Sequence, residues 1–148
     1  MKLFSLFGIE VRLDFSVIFI FGLIVYSLGT VVFPGWHPDW PAATIWSMAV
    51  LAGLLFFASL LAHEMSHSLV ARRFGIRVPR ITLFLFGGVA EIETEAETPG
   101  AEFAIAIAGP LMSLAIAFVC MTYAGAAVSE SLLDLLVENP EAAMAELG

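Results

Sequence analysis

Two histidines four residues apart, His63 and His67, stand with Glu64 in the stretch LLAHEMSHSLVARRFG at residues 60–75. On a helix, residues at that spacing project from one face, so the two imidazoles can share a metal ion. Nitrogen donors and tolerance of an open coordination position favour zinc. Glu64 lies beside the ligand face, placed to reach water at the metal rather than the metal itself. The H-E-x-x-H arrangement suits hydrolysis: zinc lowers the pKa of the water and the glutamate accepts its proton. In a soluble protein such a short match is a weak signal, so the surroundings decide.

Those surroundings are apolar. The 21 residues from Ala42 to Ala62 carry no charge. The chain of 148 residues is 60% hydrophobic with a mean hydropathy of +0.96, and only 14% of it is charged. Soluble domains carry about a quarter charged residues. The length fits one domain, 1–148, embedded in a membrane. An ionisable group at membrane depth is costly unless paired, which makes it functional by default. Arg72 follows His63 by nine positions, roughly 14 Å along a helix. Trp46 precedes His63 by 17 positions, about 26 Å of a core about 30 Å thick. The cluster is therefore submerged, within reach of water through a polar cleft. A net charge of −8 with six basic residues excludes the phosphate-neutralising stripe of a nucleic-acid binder. The single cysteine, Cys120, lies in an apolar run and reads as a small buried thiol.

Three stretches have the length of membrane helices: Phe15 to Phe33, Pro41 to Ala62 running on into the His/Glu cluster, and Phe103 to Val128. The first is longer than a signal-peptide core and ends in no small-x-small cleavage site, so it is retained. Lys2, Arg12, Arg72, Arg73, Arg77 and Arg80 all fall on one side of a three-span layout, and none on the other. The positive-inside rule then places the amino terminus and the 72–100 connection in the cytosol. The loop at 34–40 and the tail face outward. Trp36, Trp40 and Trp46 read as an interfacial belt, and His37 as a solvated loop residue. Within the connection, IRVPRITLFLF and VAEIETEAET flank Gly87-Gly88, the pattern of a β-hairpin. Glu91, Glu93, Glu95 and Glu97 share one face, opposite Ile92, Thr94 and Ala96, as on a solvated sheet. Thr98-Pro99 predicts an N-cap and first residue for the third helix. In the tail, Leu132, Leu133, Leu135 and Leu136 suggest a short amphipathic helix, and Asn139-Pro140 a fresh helix start.

The third segment contains Gly109-Pro110, a break tolerated at membrane depth where backbone meets protein or a cavity. Gly109 with Ser113, and Ala104 with Ala108, form small-xxx-small pairs suited to close helix packing. Ser113 offers a hydroxyl that can orient a ligand histidine, meet a scissile carbonyl, or do nothing catalytic.

Four motifs now stand in order: FGIEVRLDFS before the first segment, HEMSH in the second, FGGVAEIE in the hairpin and GPLMS in the third. Over residues 7–128 the chain resembles the site-2 protease family of intramembrane zinc metalloproteases, most closely its archaeal and sporulation-type branch. The hydropathy, charge and alternation above predict an α-helical integral membrane protein with three transmembrane helices and a cytosolic-side β-hairpin between the second and third. The resemblance implies zinc as cofactor, with His63 and His67 as ligands and Glu64 as general base. Ser113 matches the last position of the family's GPxxN/S motif. The partners implied are the lipid bilayer and membrane-spanning protein substrates, cut in or near their transmembrane segments after an extended strand pairs with the hairpin. The setting implied is the plasma membrane of a prokaryote.

One element of that family is missing here. Its third zinc ligand is an aspartate in a fourth membrane segment, in an Asn-Pro then Asp-Gly context. In this chain Asn139-Pro140 is followed by Glu141, and Asp134 and Glu138 fall on the outward side. The expectation is an amino-terminal portion with two ligands, weak zinc binding and little or no proteolysis of its own, from an active full-length parent. Two other readings stand beside it. One is a non-catalytic membrane protein that binds substrate segments. The other is a metal-transport component with His63, Glu64 and His67 on a cation path, which requires further polar residues that the first and third segments lack.

Overall fold

The computed structural model describes residues 1–84, 87–91 and 96–138. Strands β1 (Lys2–Leu6) and β2 (Ile9–Leu13) pair antiparallel, with Leu6 opposite Ile9. The turn between them is therefore the two residues Phe7-Gly8. Both have positive φ, 52° and 78°, the combination that matches the twist of the flanking strands. A phenylalanine in that region is unusual. Strand β3 (Arg80–Phe84) lies parallel to β2, with Val11 opposite Ile81, and antiparallel to β4 (Gly87–Glu91). The sheet order is β1-β2-β3-β4. Parallel neighbours need a crossover, and here it contains the first two apolar helices.

The expected hairpin thus forms as half of a four-stranded sheet. The sequence reading assigned no strand before the first helix. Ile9 and Val11 do alternate with Glu10 and Arg12, but over five residues only. Their complete burial comes from pairing and packing with distant segments. A second difference concerns Gly87-Gly88, which begin β4 instead of forming the turn. Residues 85 and 86, between the strands, lie outside the described residues, as do Ile92, Glu93, Thr94, Glu95 and Asn139-Pro140.

The first span runs through Phe15–Trp36. Asp14 caps α1 (Phe15–Ser27), accepting from the Ser16 amide at 2.9 Å. A π-helical turn, Leu28–Val32, leads into α2 (Phe33–Trp36). Pro34 cannot donate to the preceding turn, and the Phe33 amide instead reaches back to the Leu28 carbonyl. Gly29, in that wide turn, admits the Trp46 ring: a Cβ there would lie 2.7 Å from Trp46 Cζ3. His37 is exposed and stacks on Trp40, with ring centroids 4.0 Å apart.

Helix α3 (Ala42–Arg73) closes with a Schellman motif. Gly75 takes φ 78°, its amide donates to the Arg72 carbonyl at 3.1 Å, and the Ile76 amide donates to Ala71 at 3.2 Å. Helix α4 (Pro99–Glu138) begins as its sequence predicts, with the Ala101 amide donating to Thr98 Oγ1 at 3.3 Å. It runs on past Val128 without a separate tail helix, since no glycine or proline interrupts Ser129 to Glu138.

The core of the first compact unit, Met1–Ser113, sets the rotation of α3. Ile9, Val11, Ile81 and Leu83 form a buried sheet face against Met65 of α3, flanked by Leu61 and Leu69. Burial of Met65 contributes roughly 1.5–3 kcal/mol and commits one stripe of the helix to the sheet. In the second unit, from Leu114 onward, the α4 side chains are largely exposed, Cys120 among them. Cys120 is thus not the buried thiol the sequence suggests. Three helical stretches, Phe15–Trp36, Ala42–Arg73 and Pro99–Glu130, are long and apolar enough to cross a membrane.

Candidate metal centre

With Met65 turned to the sheet, His63 and His67 face α4, and Glu64 faces β4. His67 Nδ1 lies 2.6 Å from the Ile105 carbonyl oxygen. A carbonyl only accepts, so Nδ1 carries the proton and Nε2 of the neutral ring is left with its lone pair. His63 Nδ1 lies 2.8 Å from Ser113 Oγ, a partner able to accept the same proton. Ile105, Gly109 and Ser113 are successive residues four apart on α4 and make one stripe along the histidine pair.

The two Nε2 atoms approach to 3.1 Å. Two zinc–nitrogen bonds of about 2.0–2.1 Å at a tetrahedral angle would set the nitrogens about 3.3–3.4 Å apart. The donor set therefore fits a nitrogen-liganded metal: two imidazoles, each engaged at Nδ1 and each turned inward at Nε2. Among the described residues, no group of three or more His, Cys, Asp or Glu side chains is gathered to hold a metal.

Two glycines make room for this arrangement. A Cβ on buried Gly109 would lie 2.5 Å from His63 Nε2 and 2.6 Å from His67 Cε1, and would strike His67 Nε2 as well. A Cβ on Gly88 would run into Glu64 Cγ and lie 2.8 Å from Glu64 Cδ. Gly109 thus opens the space at the imidazole tips, and Gly88 the space for the carboxylate. A cavity of about 270 Å³ opens beside them, lined by Phe56, Ser59, Leu60, His63, Glu64, Gly87 and Ser113.

The four residues singled out in the sequence, His63, Glu64, His67 and Ser113, are brought together here. The Ile105 carbonyl and the steric part of Gly88 were not singled out. A backbone oxygen leaves no sequence signature. Gly88 was read as a turn residue because it follows another glycine.

Comparison with known proteins agrees with this geometry. The profile of Peptidase family M50 matches residues 51–145. The protein sll0528 of Synechocystis sp., whose name assigns it provisionally to the zinc metalloproteases, is 46% identical over 121 residues, covering 82% of this chain and 31% of its own. Rip3 of Mycobacterium tuberculosis, named in the same manner, is 45% identical over 109 residues, covering 74% of this chain and 28% of its own. The structure of the site-2 protease from Methanocaldococcus jannaschii superposes with a TM-score of 0.59 at 28% identity, over 83% of this chain and 50% of that one. The chain belongs to peptidase family M50, the site-2 proteases. It spans under a third of the length of these two relatives.

Proposed function

We propose that residues 1–148 supply the histidine pair, the general base and the substrate-facing strand of an intramembrane zinc metalloprotease. Its substrates are membrane proteins, cut in or near their transmembrane segments, and its third metal ligand comes from outside this stretch. The observation that carries the reading is the approach of His63 Nε2 and His67 Nε2 to 3.1 Å, with both Nδ1 atoms engaged by α4.

In this reading His63 and His67 would hold the zinc. When bound, the metal supplies Lewis acidity toward water and a carbonyl oxygen. The Ile105 carbonyl keeps His67 in the tautomer that presents Nε2, and the Ser113 hydroxyl orients the His63 ring. Glu64 stands beside them at the cavity and takes the proton of the attacking water. It returns that proton to the amine nitrogen as the peptide bond breaks. Strand β4 stands at one end of the sheet order, with β3 as its neighbour. A substrate strand added along β4 would be extended, with its peptide groups brought toward Glu64 past Gly88. Extension matters because a helical peptide bond is shielded by its own turn. Ion transport is less well supported, because α1 and the described part of α4 near the histidines offer little beyond Ser113 to line a path.

The test is metal removal. The full-length parent in detergent is stripped with a chelator and assayed on a membrane-anchored reporter. Cleavage is expected to fall to background and to return with added zinc. Cleavage that persists in the stripped protein contradicts the proposal.

A further inference from the structure

A second cleft, of about 440 Å³, lies at the carboxy-terminal end of α3, lined by Gly8, Arg72, Gly75 and Arg77 with the apolar Val78 and Pro79. The protease reading makes no use of it. Four arginines fall between positions 72 and 80, and their engagements differ. Arg80 pairs with Glu91 at 2.7 Å. Arg72 donates through Nη1 to the Phe7 carbonyl, 65 positions away in the chain. Arg77 makes no ion pair among the described residues. Among the described residues no carboxylate lines the cleft, and the nearby Glu10 is taken by Lys2 and Arg12.

The cleft is shaped on both sides by left-handed backbone. Phe7, at φ 52°, presents its carbonyl to Arg72 and so holds that guanidinium over the β1–β2 turn. A bulky residue held in this region marks a position fixed by its surroundings. On the other side Gly75 turns the chain back, and Ile76 and Val78 bury beneath, which anchors Arg77 between them. Arg72 spends one of its five N–H donors on Phe7 and keeps the rest. Two guanidiniums beside a cleft that no described carboxylate lines suit an anion with several acceptor oxygens, above all a phosphate. The arginines follow directly on the apolar run of α3, where anionic headgroups gather at a bilayer surface.

We propose that the Arg72–Arg77 cleft binds the phosphodiester headgroup of an anionic phospholipid. This rests on the membrane reading of α3 and not on the metal chemistry. A lipid held there ties the sheet and the end of α3 to the headgroup layer, and so sets the depth of His63 and His67.

The full-length parent is reconstituted in nanodiscs of phosphatidylcholine and phosphatidylglycerol, three to one, and retained lipid is counted by native mass spectrometry. Phosphatidylglycerol is expected to be held in preference to phosphatidylcholine. Arg77→Gln and Arg72→Gln should each weaken that preference about fivefold, while Arg77→Lys keeps part of it and Arg73→Gln, off the cleft, leaves it unchanged. Since Arg72→Gln also removes the tie to Phe7, Arg77→Gln decides should the former fail to fold. No preference in the wild type, or an equal loss with Arg73→Gln, overturns the proposal. A further arm adds inorganic phosphate to discs of phosphatidylcholine alone and to the mixed discs. Phosphate that fills the cleft in the first and expels phosphatidylglycerol from the second also overturns it, since the ligand would then be the free ion.

Discussion

Glu64, His63 and His67 differ in what fixes them. Each histidine is held by a hydrogen bond to a residue of α4, whereas Glu64 is confined by the absence of a side chain at Gly88. Replacing each glycine by alanine should therefore damage different functions. In Gly109→Ala the new methyl occupies the space between the imidazole tips. Overpacking of this kind costs about 1–3 kcal/mol, and zinc retained after dialysis should drop by roughly tenfold or more. Gly88→Ala should retain zinc as the wild type does and lose cleavage, because its methyl drives the Glu64 side chain aside, with Leu83 Cδ2 at 3.1 Å as the next neighbour. Zinc content by atomic absorption and a reporter assay on both variants check the pair; identical losses would show that Glu64 and the histidines are not held separately. The sequence singles out His63, Glu64 and His67 because each is ionisable in an apolar setting. It did not reveal the role of Gly88 or the Ile105 carbonyl, since these act through space and backbone.

At the scale of elements, α3 is rotated by its sheet-facing stripe, Leu61, Met65 and Leu69, interleaved with the histidines. The long apolar helices were legible because length and hydropathy report them directly. The β1–β2 strands were not, because five-residue strands acquire their burial only from β3 and α3. That hairpin also has a charge lock. The Arg12 guanidinium, and after it the Lys2 ammonium, bond to Glu10 and hold its carboxyl below its ordinary value of 4.5. A carboxylate with a depressed pKa in the folded state stabilises it above the unfolded value and ceases to do so as pH falls through the folded one. Amide hydrogen exchange across residues 2–13, corrected for its intrinsic pH dependence, should therefore lose protection only below that ordinary range. Glu10→Gln should show no such step; a step preserved in the variant would assign it to another group.

For the molecule as a whole, the positive-inside reading of the six basic residues predicts Arg77 in the cytosol and His37 outside. In a Cys120→Ala background, Arg77→Cys should react with an impermeant maleimide only in inside-out vesicles, and His37→Cys only in intact cells. The reverse pattern would invert the topology and place the Arg72–Arg77 cleft at the outer leaflet. Membership of peptidase family M50 and the oriented histidine pair together support a protease that works below the membrane surface. In the proposed protease Glu64 moves the proton in peptide hydrolysis while the histidines hold the metal. The decisive comparison sets the wild-type parent against Glu64→Gln on a membrane-anchored reporter, with zinc measured in the same samples. The prediction is unchanged zinc and a loss of cleavage of about 10²- to 10⁴-fold; cleavage by Glu64→Gln at the wild-type rate would contradict it.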